Sequence, residues 1–228
     1  MKKFYLKYRH IMPAILYMAV YLVWFFHLER TVTSYRIIHT ALDDKIPFIE
    51  VFVVPYLMWF GYVVAAVAIA FFSDKEEYYK SLTFLITGMT VFLVISTLWP
   101  NGHHLRPAVM PRDNVFTHMV SNLYKTDTPT NLWPSIHVYN SIGAHLCVIH
   151  AKWSKDKRWL RNVSLVLCVA IIMSTMFIKQ HSFFDVFTAL IMSAVMATVV
   201  YRDEVMAFYR AHSSSKDAAF DLKHIFIK

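Results

Sequence analysis

The chain has 228 residues, 57% of them hydrophobic, with a net charge of +8 and only two cysteines. Cys147 and Cys168 both fall inside apolar stretches, so a secreted framework of disulfides and redox chemistry are excluded. The length favours a single domain that covers residues 1–228.

Six long apolar runs follow one another along the chain, at 11–28, 48–72, 81–98, 135–151, 160–178 and 183–200. Each is about as long as a helix needs to cross ~30 Å of hydrocarbon. None alternates with the period of two that a barrel strand requires, so helices are favoured. We therefore predict an all-α, polytopic membrane protein, a six-transmembrane-helix bundle whose first run is a retained span and not a cleaved signal peptide.

Positive charge is concentrated before the first run, between the second and third, between the fourth and fifth, and after the sixth. Because Lys and Arg mark cytoplasmic segments, this alternation predicts that both termini are cytoplasmic. The basic excess then reflects topology, and no nucleic-acid partner is expected. The tail at 202–228 is polar and too short in apolar residues to span.

Two segments are predicted to form the long outer loops, at 29–47 and 99–133. The second contains prolines, asparagines and threonines and little apolar periodicity, which is typical of a loop. It begins with a polar cluster in which Arg106 offers a planar, permanently charged group suited to phosphate oxygens. His103 and His104 precede it. An arginine just outside a span also fits a lipid headgroup contact.

The start of the fourth run forms a second cluster, Trp133-Pro134-Ser135-Ile136-His137. Pro134 suits the first turn of a helix, so Ser135 and Ile136 should present backbone donors to a phosphate. His137 could act as a general acid or bind a phosphate oxygen. An interfacial histidine with a structural hydrogen bond is the alternative.

The third cluster contains His181 and Asp185, four residues apart before the sixth run. On a helix they would share one face, and the carboxylate would fix one tautomer of the imidazole and leave the other nitrogen free to attack. A structural His–Asp pair that caps the helix is the alternative. The predicted topology puts all three clusters on the outer face, as one site would require.

An Arg-Pro pair, a Pro-Ser-x-His and a His-x-x-x-Asp in this order resemble the motifs of the type 2 phosphatidic acid phosphatase superfamily. The resemblance covers core motifs within residues 99–190. It implies six helices, no metal or other cofactor, and phosphate transfer through a phosphohistidine. By resemblance His181 is the nucleophile, Asp185 its orienter and His137 the general acid. Arg106 and Ser135 hold phosphate.

Two positions depart from the family pattern, because Trp99 and Thr175 stand where the family usually has a lysine and an arginine. Lys179, or His103 and His104, are candidates to replace part of that charge in substrate binding. The gaps resemble the branch of sphingomyelin and inositol-phosphorylceramide synthases.

The sequence thus predicts a lipid-phosphate phosphatase, a phosphoric monoester hydrolase acting on a lipid phosphomonoester or pyrophosphate at the outer face of a bacterial plasma membrane. A lipid headgroup phosphotransferase is the first alternative. A non-enzymatic transporter or metal-binding membrane protein is the second.

Overall fold

The computed structural model describes residues 8–203. Within them seven α-helices account for most of the chain. They are α1 (Met12–Thr31), α2 (Val53–Ser73), α3 (Lys75–Leu98), α4 (Val115–Thr126), α5 (Ile136–His150), α6 (Arg158–Phe177) and α7 (Phe183–Val200). Short 3₁₀ turns lie at Arg9–Ile11, Glu50–Phe52 and Lys152–Ser154. Nearly all of the polar tail predicted at 202–228 lies outside the described residues.

Every apolar run of the sequence forms a helix, which confirms an all-α membrane protein. In the part of the chain that the structure describes, five helices are long and apolar enough to cross a bilayer, and they correspond to α1, α2, α3, α6 and α7. The fourth run forms α5, which has 15 residues. At ~1.5 Å per residue α5 is about 22 Å long, shorter than the hydrocarbon layer. The count of six spans and the cytoplasmic position of both termini therefore stay predictions.

Helix α5 lies at the centre of the bundle and packs against α2, α3, α6 and α7. Its contact with α3 depends on glycine. A Cβ at Gly88 of α3 would lie 2.0 Å from the ring of Tyr139 on α5, and one at Gly143 would lie 2.7 Å from the ring of Phe84. Small residues let helices approach closely in a membrane, where apolar packing replaces the hydrophobic effect. The central position of α5 fixes the residues at its N-terminal end.

The outer surface of the bundle is apolar. Leu16 on α1, Phe60 on α2 and Val166 on α6 are 70%, 69% and 69% exposed. Large apolar side chains in such numbers on a surface require an apolar solvent. The faces that these helices turn outward are therefore lipid-facing.

The two predicted outer loops join at the end of α3. Strand β1 (Arg36–Ile37) pairs in parallel with β2 (Asn101–Gly102), so the loop after α1 is fixed to the segment after α3. The expectation that 99–133 is a loop without periodic structure is wrong, because α4 forms inside it. Asn114 caps α4 by accepting hydrogen bonds from the N–H groups of Phe116 and Thr117 at 2.9 and 3.0 Å.

Candidate active site at the start of α5 and α7

The start of α7 is a capping box built from Ser182 and Asp185. The hydroxyl of Ser182 accepts a hydrogen bond from the N–H of Phe184 at 3.2 Å, and Asp185 Oδ2 accepts one from the N–H of Ser182 at 2.9 Å. His181 lies just before the helix. The expectation that His181 and Asp185 share a helical face is therefore wrong, and the capping box brings the two side chains together instead.

His181 lies between two partners. Its Nδ1 is 3.4 Å from Asp185 Oδ2, and its Nε2 is 3.3 Å from Nδ1 of His137. Asp185 is fully buried and His181 is 4% exposed. A carboxylate can only accept, so the Asp185 contact places a proton on Nδ1 and leaves the lone pair of Nε2 directed at His137. One imidazole is thus oriented by an acid and faces a second imidazole.

Helix α5 begins at Ile136, and Ser135 is its N-cap. Pro134 therefore precedes the cap, and the expectation that it lies in the first turn is wrong. The hydroxyl of Ser135 accepts a hydrogen bond from the N–H of Val138 at 3.4 Å, and its own N–H donates to the carbonyl of Asp185 at 3.3 Å. The N–H of Ser135, one of the two backbone donors expected for phosphate, is thus engaged. The bond between Ser135 and Asp185 joins the starts of α5 and α7.

Two aromatic residues of α2 fix the ring of His137. Tyr56 stacks on it with ring centroids 4.6 Å apart, and the ring of Trp59 lies 4.3 Å away. Both residues fall in the second apolar run, where aromatic side chains are ordinary, so no sequence pattern indicates this contact. The phenol of Tyr56 donates to Asp127 Oδ2 at 2.8 Å, which in turn fixes Tyr56.

Residues 179–182 form the nucleophile segment, named for the role predicted for His181. Arg106 reaches this segment through Gln180. Its guanidinium donates to the side-chain oxygen of Gln180, to the carbonyl of Asp127 at 2.8 Å and to that of Tyr124 at 3.3 Å. Its Nε is buried and has no partner among the described residues. Burial lowers the pKa of Arg106 from its usual value, although the guanidinium stays charged. Arg106 is thus a permanent cation with an unused donor, and it binds the side chain of the residue that precedes His181.

Gln180 and Asp127 are contacts that the motifs did not reveal. Gln180 Nε2 donates to Asp127 Oδ2 at 2.9 Å, so Asp127 holds both Gln180 and Tyr56. The network therefore runs from Arg106 to the aromatic face of His137. An amide next to a histidine and an acid in a loop carry no distinctive spacing, and only the fold joins them.

His103 is a buried, neutral support of the nucleophile segment, and it is 1% exposed. Its Nε2 donates to the carbonyl of Gln180 at 2.9 Å, and its Nδ1 accepts from the N–H of Leu105 at 3.3 Å. Burial lowers the pKa of His103 to about 4, so both bonds belong to the neutral ring. His104 next to it is exposed.

Lys179 and His104 line a cavity of about 490 Å³ that does not include His181, His137 or Asp185 among its walls. The ammonium of Lys179 donates to the carbonyls of Asp43 and Ile46 at 2.8 and 2.6 Å. Burial lowers the pKa of Lys179. These bonds direct Lys179 toward the first outer loop. Its predicted role in substrate binding stays a prediction, as does that of His104.

The two unusual positions have different surroundings. Trp99 is 48% exposed, and the guanidinium of Arg36 lies 3.7 Å above its ring. Thr175 is fully buried, its hydroxyl donates to the carbonyl of Ile172 at 2.7 Å, and its carbonyl accepts from the N–H groups of Gln180 and His181. A cation thus lies beside position 99, whereas position 175 serves the backbone of the nucleophile segment.

Within residues 8–203, no three His, Cys, Asp or Glu side chains are grouped so that they could hold a metal ion. At the starts of α5 and α7 a histidine pair contacts one buried carboxylate, and a guanidinium is joined to the residue before His181 through Gln180. Such a set can attack an electrophilic centre, transfer a proton and bind an anion.

A sequence model of the PAP2 superfamily matches residues 105–209. No curated protein and no solved structure gives a significant match. The matched segment contains Arg106, the start of α5 and the start of α7, which are the parts that form the site. The resemblance to the type 2 phosphatidic acid phosphatase superfamily is thereby confirmed over this segment, which makes up a little less than half of the chain.

Proposed function

We propose that the protein is an integral membrane lipid-phosphate phosphatase that transfers a phosphoryl group through His181. The superfamily match and the apolar helices support a membrane phosphatase in general terms. One observation carries the specific proposal: Asp185, His181 and His137 are joined in a row by contacts of 3.4 and 3.3 Å. This arrangement supports the roles predicted for the three residues.

The first step forms a bond between His181 Nε2 and phosphorus and breaks the bond from phosphorus to the leaving oxygen. Asp185 stabilises the imidazolium that develops on His181, as a buried carboxylate does for an attacking or proton-accepting imidazole. The leaving oxygen takes the proton from His137 Nδ1. The substrate must replace the contact between the two histidines, so that both nitrogens then face the same phosphoryl group.

The second step releases the product. A water molecule gives its proton to His137 Nδ1 while its oxygen bonds to phosphorus, and the bond from phosphorus to His181 breaks. The Nε of Arg106 is an unused donor on the guanidinium that binds Gln180, and we assign it to the phosphate oxygens. The site faces the outside of the plasma membrane, as the charge alternation predicts.

A second function, transfer of a phosphorylated headgroup to a lipid alcohol, is favoured by the charges near the histidines. Lys179 is directed at backbone carbonyls, Arg36 lies on Trp99, and Arg106 has the carboxylate of Asp127 in its surroundings. A phosphomonoester carries close to two negative charges at neutral pH, whereas a diester carries one. One cation within this network suits a diester, whose phosphorus carries a headgroup.

Product analysis in liposomes distinguishes the two functions. The purified full-length protein is given phosphatidate, phosphatidylglycerol phosphate, undecaprenyl pyrophosphate or a phospholipid with ceramide, and both free phosphate and new lipids are followed. Release of phosphate without a new lipid supports the hydrolase. Appearance of the headgroup on a new lipid shows the transferase.

His181→Ala should abolish turnover and any acid-labile phosphoenzyme, because Asp185 orients no other side chain among residues 8–203. His118→Ala is the matched control, since His118 is exposed on α4 and pairs with Asp113. Wild-type turnover of His181→Ala would refute the proposed nucleophile. Turnover that requires stoichiometric metal and stops in excess chelator would support the metal-binding alternative.

A further inference from the structure

Asp43 lies in the first outer loop, outside the segment that matches the superfamily, and is 2% exposed. Its carboxylate nevertheless ends at the nucleophile segment. Oδ1 accepts a hydrogen bond from the N–H of Phe183 at 2.6 Å, and Oδ2 accepts one from the hydroxyl of Ser182 at 2.7 Å. Two further bonds come from the N–H and hydroxyl of Thr40, at 2.7 and 2.8 Å.

The two residues that Asp43 binds lie between His181 and Asp185. Phe183 is the first residue of α7, so its N–H has no acceptor within the helix and an anion there is favoured by the helix dipole. Ser182 is the N-cap whose N–H binds Asp185 Oδ2. Asp43 thus fixes the backbone from which both members of the pair project.

The carboxylate of Asp43 is in its charged form. Burial alone would raise its pKa, but the hydrogen bonds from Phe183, Ser182 and Thr40 outweigh burial and lower the pKa below its usual value. A charged acceptor makes stronger hydrogen bonds than a neutral one. The anchor on α7 is therefore at full strength at neutral pH.

We propose that Asp43 is a positioning residue, which holds the His181–Asp185 pair in its reactive geometry through the N-terminus of α7. The inference rests on the proposed role of His181 as nucleophile. It extends the active site beyond residues 105–209 to the loop after α1. A displacement of ~1 Å in a reacting group can lower a rate about 100-fold, so a residue that never touches substrate can control turnover.

The loop keeps another anchor when the charge of Asp43 is removed. Lys179 binds the backbone carbonyls of Asp43 and Ile46, and these bonds do not involve the carboxylate. Asp43→Asn therefore leaves the loop attached and changes chiefly the contacts with Ser182 and Phe183. Its neighbour Asp44 is exposed and pairs with His39 at 2.8 Å, which makes Asp44→Asn the matched control.

The test compares two anions that bind full-length protein in detergent. Orthovanadate resembles the five-coordinate transition state and requires an aligned nucleophile, whereas inorganic phosphate resembles the ground state. Asp43→Asn should bind vanadate about 100-fold more weakly and phosphate within about twofold of wild type. Asp44→Asn should bind both as wild type does. Calorimetry gives affinity and stoichiometry together.

Three outcomes overturn the inference. Asp43→Asn could bind vanadate with wild-type affinity, or it could lose vanadate and phosphate affinity in parallel, as a merely structural residue would. The third outcome is a His181→Ala protein that binds vanadate as tightly as wild type, which refutes the proposed nucleophile itself. If Asp43→Asn does not fold, Ser182→Ala carries the test, with an expected loss of about tenfold in vanadate affinity alone.

Discussion

The segment that matches the superfamily and the segment before it contribute to the site in different ways. Residues 105–203 carry the three side chains in contact, His137, His181 and Asp185. Residues 8–104 carry none of these, but they supply the aromatic rings against His137 and the neutral His103 behind Gln180. Because the two sets of groups lie in different segments, substitutions can change the reactive side chains and their supporting contacts separately.

At the end of the bundle that carries the candidate site, three acids of the earlier segment bind across to the later one. Their contacts are Glu29 with Thr128 and Asn131, Asp43 with Ser182 and Phe183, and Glu50 with Arg112 and Asn114. All the donors lie near the ends of helices or in the outer loops. Asp43 and Glu50 are buried, and a buried acid without partners is costly, so the contacts of these two acids favour the association of the two segments.

Asp185→Asn should have the largest effect on chemistry and should leave the fold intact. An asparagine oxygen can still accept from the N–H of Ser182, but it no longer stabilises a charged His181. We expect turnover to fall about 10³- to 10⁴-fold, as for other oriented histidines. Turnover in liposomes and the melting temperature are the measurements. Asp113→Asn on the surface is the control, and a loss below tenfold would contradict the assigned role.

Acidification should lower the free energy of unfolding, because it protonates His103. Its pKa is about 4 in the fold and about 6.5 in the unfolded chain, so the unfolded state binds more protons between these values. The contribution of neutral His103 is complete above pH 6.5 and is lost as the pH falls toward 4. Its size is on the order of 3 kcal/mol.

The fall in stability between pH 7 and pH 4 can be measured by thermal or denaturant unfolding in detergent. His103→Gln provides the comparison, because its side-chain amide can donate to the carbonyl of Gln180 but does not titrate. This variant should lose less stability on acidification than wild type. Equal losses would mean that other groups account for the acid sensitivity.

Much of the fold was accessible from the sequence, because six uninterrupted apolar runs leave the chain few alternatives to helices. Helix α4 was not predicted, because its polar residues and the surrounding prolines obscure the helical periodicity of a segment of only 12 residues. One local signal was overlooked: Ser182 and Asp185 before an apolar run match the capping-box pattern. That pattern would have placed His181 before the helix.

The contacts of the site were less accessible than its motifs. Asp43 and His181 are far apart in sequence and share no pattern, so their association depends on how the first outer loop packs. Tyr56 and Trp59 looked like ordinary residues of a membrane helix. Nothing in local propensity encodes which face of α2 meets α5, because that is set by packing in the whole bundle.

Glu50→Gln should lower stability and leave turnover nearly unchanged, whereas Asp185→Asn should lower turnover and leave the fold intact. Glu50 Oε1 accepts from Arg112 Nε at 2.6 Å and from Asn114 at 2.9 Å. Both donors lie just before α4, which begins at Val115. Loss of hydrogen bonds to a charged acceptor should lower the free energy of unfolding by ~2 kcal/mol. Turnover per folded molecule should stay within about twofold. A large fall in turnover at unchanged stability would place Glu50 in the chemistry.

Thr175→Val should have the smallest effect. The hydroxyl of Thr175 binds a carbonyl of its own helix, while the nucleophile segment depends on the Thr175 carbonyl, which valine retains. Valine has nearly the same shape, so we expect turnover within about twofold of wild type and a stability loss of ~1 kcal/mol. Kinetics on several lipid phosphates would check this. A tenfold loss of turnover would show that the hydroxyl contacts phosphate and partly replaces the family's arginine.

If Thr175→Val shows no such loss, Thr175→Arg should bring no gain in turnover, because position 175 is fully buried and a guanidinium there has no room to reach an anion.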